Sequence, residues 1–140
     1  MRSFFAFLRL PAREQKLLIE CWIELARAAV VTRLRPASIC TNAKVAFKNL
    51  RLVSDGFALE ALLLWVDRAA SHHLKHMTCL ERAVAGQRVL MRRGWFPLIE
   101  IGVRGGHGDW EAHAWLSLAG RSLDRQSGLF ASMQPVALPR

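Results

Sequence analysis

The sequence predicts an α+β fold whose helices precede its strands. Up to residue 94, apolar side chains recur at intervals of three and four, the period of an amphipathic helix. From Ile99 onward they alternate with a period of two, as in strands that bury one face. The 140 residues, 52% hydrophobic and 22% charged, fit one compact domain, 1–140. A disordered or multi-domain chain is not expected.

Two amphipathic helices are predicted in the first half, so residues 1–70 are interpreted as an N-terminal helical region. The first helix begins near Pro11 and is expected to end at Pro36. Its apolar stripe comprises Leu17, Leu18, Cys21, Trp22, Leu25, Ala28 and Ala29. The second helix runs from Phe57 to Arg68, with one face made of Leu59, Leu62, Leu63 and Val66. Residues 37–56 show neither period and are ambiguous.

A third helix has clear signals at both ends. Thr78 and Glu81 have the spacing of a capping box, in which each side chain accepts a hydrogen bond from the other residue's backbone N–H. The helix is therefore expected to begin at Cys79. A basic last turn and a glycine stop follow at Arg92, Arg93 and Gly94.

Two strands follow this helix. Ile99, Ile101 and Val103 alternate in a run that ends at a glycine-rich loop, residues 105–108. A second run, Glu111 to Leu118, is followed by Ala119-Gly120, a two-residue turn that begins an antiparallel hairpin. The tail, residues 127–140, carries only weak strand signals.

The basic charge lies upstream of the predicted strands. The formal net charge is +9; counting along the chain gives +6 for residues 1–50, +3 for 51–94 and zero for 95–140. Such a balance raises nucleic-acid binding as a hypothesis, carried by Arg27, Arg33, Arg35, Lys44, Lys48 and Arg51 with Phe47 among them. No recognition motif accompanies these residues, and an acidic peptide or protein partner explains the same charge. We therefore expect no nucleic-acid partner.

The cysteines and the apolar segments indicate a cytoplasmic protein. Cys21, Cys40 and Cys79 are odd in number and widely spaced, which suits a reducing compartment better than a disulfide framework. No signal peptide is evident, because arginines interrupt the N-terminal apolar run. The richest apolar stretch, 17–31, contains three charges, so no membrane span is expected.

Cys79 is a candidate nucleophile because of its place at a helix N-terminus. Unpaired amide N–H groups and the positive end of the helix dipole there favour a thiolate over a thiol. The alternative is that Cys79 is a small buried hydrophobic residue, as most single cysteines are. Position alone does not separate the two interpretations. Cys21, within an apolar stripe, is interpreted as a core residue.

A histidine and an acid can meet on the predicted hairpin. If Leu118 pairs with Arg121, Trp115 lies opposite Asp124, and Asp124 becomes the diagonal neighbour of His113. A slip of one residue would move Asp124 to the other face and leave Asp109 or Glu111 as the acid. Thiolate, imidazole and carboxylate together form a set for nucleophilic catalysis.

Several motifs in this order resemble the lasso-peptide biosynthesis leader peptidases, transglutaminase-like cysteine proteases of the microcin-processing type. The strongest is Glu111-Ala112-His113-Ala114-Trp115, after Cys79-Leu80-Glu81-Arg82-Ala83, Leu90-Met91-Arg92-Arg93-Gly94 and Ile101-Gly102-Val103-Arg104. The N-terminal region is similar as well, at Leu10-Pro11-Ala12-Arg13-Glu14, Leu25-Ala26-Arg27 and Arg35-Pro36. Departures occur at Ser117, where members often have an acid, and at Ala119, where Asp or Asn is usual. Asp124 stands one position off the common spacing.

The resemblance implies a papain-like, transglutaminase-like fold in which residues 71–140 carry the catalytic helix and strands. It assigns Cys79 as nucleophile, His113 as general base and acid, and Asp124 as the orienting acid. The implied reaction removes the leader from a ribosomally made precursor before a separate cyclase closes the macrolactam. The expected partners are the precursor's leader region, a separate winged-helix leader-recognition protein and the lasso cyclase. At 140 residues the chain is expected to be the stand-alone protease.

Two other functions and a metal site are the alternatives to this interpretation. A transglutaminase-like acyltransferase or amidase would use the same three residues, and a basic adaptor for peptide or nucleic acid would use none. His72 and His76 would lie one turn apart on a helix, but no further ligand pair is evident, so neither a metal nor a cofactor is expected. His107 is interpreted as a loop residue, and Trp95 and Trp115 as packing residues.

Overall fold

The computed structural model describes residues 8–35, 54–106, 108–124 and 127–133. In these ranges it contains three α-helices and one four-stranded antiparallel sheet, which confirms the α+β prediction. The helices are α1 (Ala12–Leu34), α2 (Leu59–Ser71) and α3 (Cys79–Met91), and the strands are β1 (Leu98–Gly106), β2 (Asp109–Leu118), β3 (Arg121–Ser122) and β4 (Ala131–Met133). A 3₁₀ turn, Ser127–Leu129, precedes β4. The strand order is β3-β2-β1-β4.

The helices begin and end close to the predicted positions. Helix α1 starts directly after Pro11 and stops at Leu34, and α3 starts at Cys79 behind its capping box, as predicted. Helix α2 is shifted, since it starts two residues after Phe57 and ends three residues after Arg68. Its extension buries Ala69 and Ala70, two small residues that carry little periodic signal. The ambiguous segment lies mostly outside the described residues, as do Cys40 and His107.

The core lies between the three helices and one face of the sheet. Its fully buried members include Leu17, Cys21, Leu25, Leu62, Val89 and Leu90, together with Ala114 and Leu116 from β2. Helix α3 lies close to the sheet because of Gly86, where an added Cβ would be 3.1 Å from the Leu116 Cδ1 atom. The predicted apolar stripe of α1 is confirmed by this packing.

Ion pairs join α1 to α3 and use several of the basic residues. The Glu24 carboxylate, 1% exposed, accepts hydrogen bonds from Arg88 at 2.6 Å and from Arg27 at 2.8 Å. The Arg93 side chain is 5% exposed and binds the carboxylates of Glu20 and Asp55. The basic end of α3 is thus largely neutralised inside the protein.

The hairpin after β2 has the predicted register. Leu118 pairs with Arg121, and the turn residues Ala119 and Gly120 both have positive φ, at 51° and 77°. Positive φ at both positions is the geometry of a turn that matches strand twist, and it is unfavourable for alanine. Strand β3 ends after two residues, so the paired hairpin is shorter than expected. No helix in the described ranges is long and apolar enough to cross a membrane.

Strand β4 was not predicted. Ala131–Met133 pairs antiparallel with β1 through Val103↔Ala131 and Ile101↔Met133. Three residues are too few to show a period of two, so the tail gave only a weak signal.

Candidate active site

Cys79 is the first residue of α3, and reciprocal hydrogen bonds hold the turn that carries it. The Glu81 N–H donates to the Thr78 Oγ1 at 3.2 Å, and the Thr78 N–H donates to the Glu81 Oε2 at 2.9 Å. The Lys75 ammonium binds the other carboxylate oxygen of Glu81. Burial alone would raise the pKa of Glu81, but the hydrogen bonds from Lys75 and Thr78 outweigh it and lower that pKa. A buried, ionised carboxylate therefore anchors the first turn.

The thiols of Cys79 and Cys21 differ in their surroundings. Cys79 is partly exposed and carries a free thiol, whereas Cys21 is completely buried in the core. Burial, reinforced by the neighbouring carboxylate of Glu20, raises the pKa of Cys21 to about 12. Cys21 therefore stays a protonated core residue, as expected from its place in the stripe.

His113 and Asp124 are brought into direct contact. The His113 Nε2 and the Asp124 Oδ2 are 2.6 Å apart, a short hydrogen-bond distance. The Ser122 hydroxyl fixes the backbone of Asp124, since it donates to the Asp124 carbonyl at 3.0 Å and accepts from its N–H at 3.1 Å. Asp124 therefore reaches His113 from just beyond the end of β3, as the predicted register requires.

Aromatic rings surround the imidazole of His113. The ring centroid of Trp115 is 5.9 Å away and that of Phe130 is 4.9 Å away, with interplanar angles of 25° and 30°. Trp115 is buried, and its indole N–H donates to the Glu100 carboxylate at 3.0 Å. Trp115 is thus a packing residue, as predicted, whereas the contact of Phe130 was not foreseen. Phe130 immediately precedes β4, the strand that the sequence did not reveal.

The side chain of His113 leaves β2 on the face opposite to that of Leu116. Leu116 packs against α3, and side chains alternate along a strand, so His113 and Trp115 are directed to the other face. Among the described residues, no hydrogen bond joins Cys79 to His113. Strand β3 pairs only with Ser117 and Leu118. Closer to the start of β2, this edge has no ladder partner within the described ranges.

The charge of Asp124 acts on Asp67 of α2. Asp67 on α2 lies 3.8 Å from the guanidinium of Arg82, one turn after Cys79. Burial raises the pKa of the Asp67 carboxyl, Arg82 lowers it, and the charge of Asp124 raises it further. Asp124 is therefore within electrostatic range of Asp67 on α2.

The condition for a one-turn spacing of His72 and His76, a helical segment, is not met. Helix α2 ends at Ser71, and residues 72–75 form turns and bends, so the two imidazoles do not share a helix face. The next helix, α3, begins only at Cys79, so no helical repeat continues through these histidines. No cluster of three metal-ligating side chains is present in the described part of the chain. His73 instead stacks on Trp22, with ring centroids 4.3 Å apart, and burial lowers its pKa.

Sequence reasoning missed the residues that support this site. Lys75, Phe130 and Asp67 carry no motif, and each acts through a contact between separate elements. A basic residue six positions before a capping-box Glu could have indicated Lys75, but only the folded loop shows that it reaches Glu81.

The comparisons with known proteins agree with the fold and define its class. A family model described as the transglutaminase-like superfamily matches residues 21–137, and the chain belongs to this superfamily. Its members are typically cysteine-dependent peptidases or acyltransferases. Comparisons with curated proteins and with solved structures gave no match.

Proposed function

We propose that this protein is a cysteine peptidase that removes the leader from a lasso-peptide precursor before the macrolactam forms. The observation that carries the proposal is the 2.6 Å bond between His113 and Asp124 on a transglutaminase-like fold whose capped helix begins with Cys79. In this arrangement Cys79 is the nucleophile, His113 the general base and acid, and Asp124 the residue that orients the imidazole. The choice of a lasso-peptide leader rests on the sequence motifs.

The contact between His113 and Asp124 determines which ring nitrogen exchanges protons. Asp124 accepts from Nε2–H, so a neutral His113 presents Nδ1 as its basic nitrogen. Nδ1 takes the proton of the Cys79 thiol as the sulfur attacks the carbonyl of the last leader residue. The tetrahedral intermediate collapses, the C–N bond breaks, and Nδ1–H protonates the departing core amine.

Hydrolysis then returns the enzyme to its starting state. Water attacks the leader thioester and gives one proton to His113, the C–S bond breaks, and the thiol regains its proton. An acyltransferase of the same superfamily would differ only in this step, because an amine would replace water. Added amines such as hydroxylamine would then increase product release and give an acylated amine instead of a free leader acid.

Mass spectrometry of a cleavage reaction tests the proposal. The protein is incubated with a precursor peptide and its winged-helix recognition protein, and the expected products are the free leader acid and the core peptide. Cys79→Ala should abolish cleavage while precursor binding remains. The matched control is Cys21→Ala, which removes a thiol outside the site and should cleave normally below its unfolding temperature. Absence of cleavage by the wild type, or cleavage that persists in Cys79→Ala, would refute the assignment.

The C-terminal end of α1 is proposed as the docking surface for the recognition protein or the leader. Arg33 is exposed there. Arg27 is unsuitable for the test because its guanidinium binds the buried Glu24. The charge-reversed variant Arg33→Glu should weaken complex formation, measured by titration calorimetry. Arg121→Glu, at an exposed site on β3, is the matched control, and equal affinities for all three proteins would contradict this docking surface.

A further inference from the structure

We propose that Phe130 is a positioning residue that holds the imidazole of His113 in its working orientation. The inference rests on the proposed function and concerns a residue that lies outside the Cys-His-Asp set. Its ring is the nearest aromatic neighbour of His113 in the described structure, at 4.9 Å between centroids.

The three rings form a compact cluster instead of a sandwich. The centroids of His113 and Phe130 are 4.9 Å apart, those of His113 and Trp115 5.9 Å, and those of Trp115 and Phe130 6.4 Å. If Phe130 and Trp115 lay on opposite sides of the imidazole, their separation would approach the sum of the first two distances. The two aromatic rings therefore do not lie on opposite faces of the imidazole.

The sheet brings Phe130 to this position. Strand β4 pairs Ser132 with Gly102, and Gly102 is in turn the partner of His113 across β1 and β2. Because Gly102 has no side chain, its own position leaves room between β4 and His113. Phe130 can lean across β1 towards the imidazole. A residue on a sequence-distant strand thus contacts the histidine.

An ion-paired arginine also contacts Phe130. The Arg104 guanidinium lies 4.8 Å from the centroid of the Phe130 ring, within the range of a cation–π contact. The same guanidinium binds the Glu111 carboxylate at 2.6 Å. These contacts connect Glu111, Arg104 and Phe130 to the imidazole.

The cluster limits the rotation of the imidazole and reduces the access of water to its bond with Asp124. The side chains of His113 and Asp124 are 18% and 31% exposed, so without Phe130 more water would reach that hydrogen bond. A loosened ring would present Nδ1 to the thiol less often. A misplacement of about 1 Å near reacting groups can lower rates by about a hundredfold, so a partial loss of orientation has a measurable effect.

Three variants test the role. Phe130→Leu keeps an apolar side chain but removes the flat ring, Phe130→Tyr restores the ring, and Leu129→Ala alters an exposed neighbour. For Phe130→Leu we expect kcat to fall about tenfold with KM within twofold, consistent with a loss of orientation instead of binding. Phe130→Tyr should recover most of kcat, and Leu129→Ala should equal the wild type.

An NMR measurement provides a readout that does not depend on peptidase activity. The Nε2–H proton of His113, held by Asp124, should give a low-field resonance in the wild type and in Phe130→Tyr. In Phe130→Leu faster exchange with water should broaden it. An unchanged resonance and unchanged kcat in Phe130→Leu would overturn the positioning role. If the wild type fails to cleave but the resonance responds as expected, the proposed function falls and the positioning of His113 stands.

Discussion

The capping box that holds Cys79 can be tested through the stability of the protein. Thr78→Ala removes the oxygen that accepts from the Glu81 N–H, and loss of such a cap costs about 1 kcal/mol. Glu81→Gln keeps an acceptor for the Thr78 N–H but loses the ion pair with Lys75. The Glu81 side chain is 4% exposed and that of Lys75 36%, so we take about 2 kcal/mol, the lower part of the range for charged hydrogen bonds.

The two changes should also be coupled, because the residues share one reciprocal pair of bonds. We expect the double variant to lose about 0.5–1 kcal/mol less than the sum of the single losses. Urea unfolding followed by far-ultraviolet circular dichroism at pH 7 measures all four proteins. The midpoint of thermal unfolding should fall by about 4 °C for Thr78→Ala and about 8 °C for Glu81→Gln.

Helix α2 offers a matched control for the capping experiment. Glu60 lies in its first turn, and the N-cap residue Ala58 makes no side-chain capping bond. Glu60→Gln should therefore change the free energy of unfolding by no more than about 0.5 kcal/mol. If Thr78→Ala and Glu81→Gln were as mild as Glu60→Gln, or strictly additive, the reciprocal bonds would not anchor the first turn.

Three further predictions follow from single contacts. The folded-state pKa of Glu81 is lowered, so the stabilisation by its carboxylate is complete above the unfolded value of 4.5 and is lost as pH falls through the folded pKa. The free energies of unfolding of the wild type and Glu81→Gln, measured with urea, should therefore converge at acid pH. A difference that stays constant with pH would contradict this. Ala119→Gly should raise the free energy of unfolding by about 0.5–1 kcal/mol, because φ is positive there, and a loss would refute the turn geometry. Arg93→Lys should lower the free energy of unfolding by about 2 kcal/mol, since lysine cannot bridge Glu20 and Asp55 with a planar fork, and calorimetry showing no loss would contradict the bridge.

Local patterns predicted much of the fold because they depend on neighbouring residues. The start of α3 followed from Thr78 and Glu81, and the hairpin register followed from a two-residue turn between alternating runs. Both are interactions within a few positions of the chain, so the sequence expresses them directly. The contact of His113 with Asp124 could be counted from the same register.

The features that sequence reasoning missed depend on residues far apart in the chain. Strand β4 exists because Ala131–Met133 finds an edge of β1, and its length of three residues leaves no period to detect. The buried Glu24 is stable because Arg88 reaches it from a helix 64 positions away. The turns and bends at residues 72–75 were not predicted, because no local motif marks the path of the chain between the end of α2 and the capped start of α3.

The sequence by itself determined the order of helices and strands and the N-terminal place of Cys79 on its helix, and its hairpin count offered Asp124 as the partner of His113. These follow from periodicity, capping and hairpin register, which are set by short-range geometry. Only the tertiary structure decided that Phe130 contacts the imidazole and that Lys75 neutralises Glu81. It also decided that the basic end of α3 is used in internal ion pairs. Such contacts depend on packing between segments that are distant in the chain, because a buried charge is stable only when an opposite charge or a hydrogen bond compensates it.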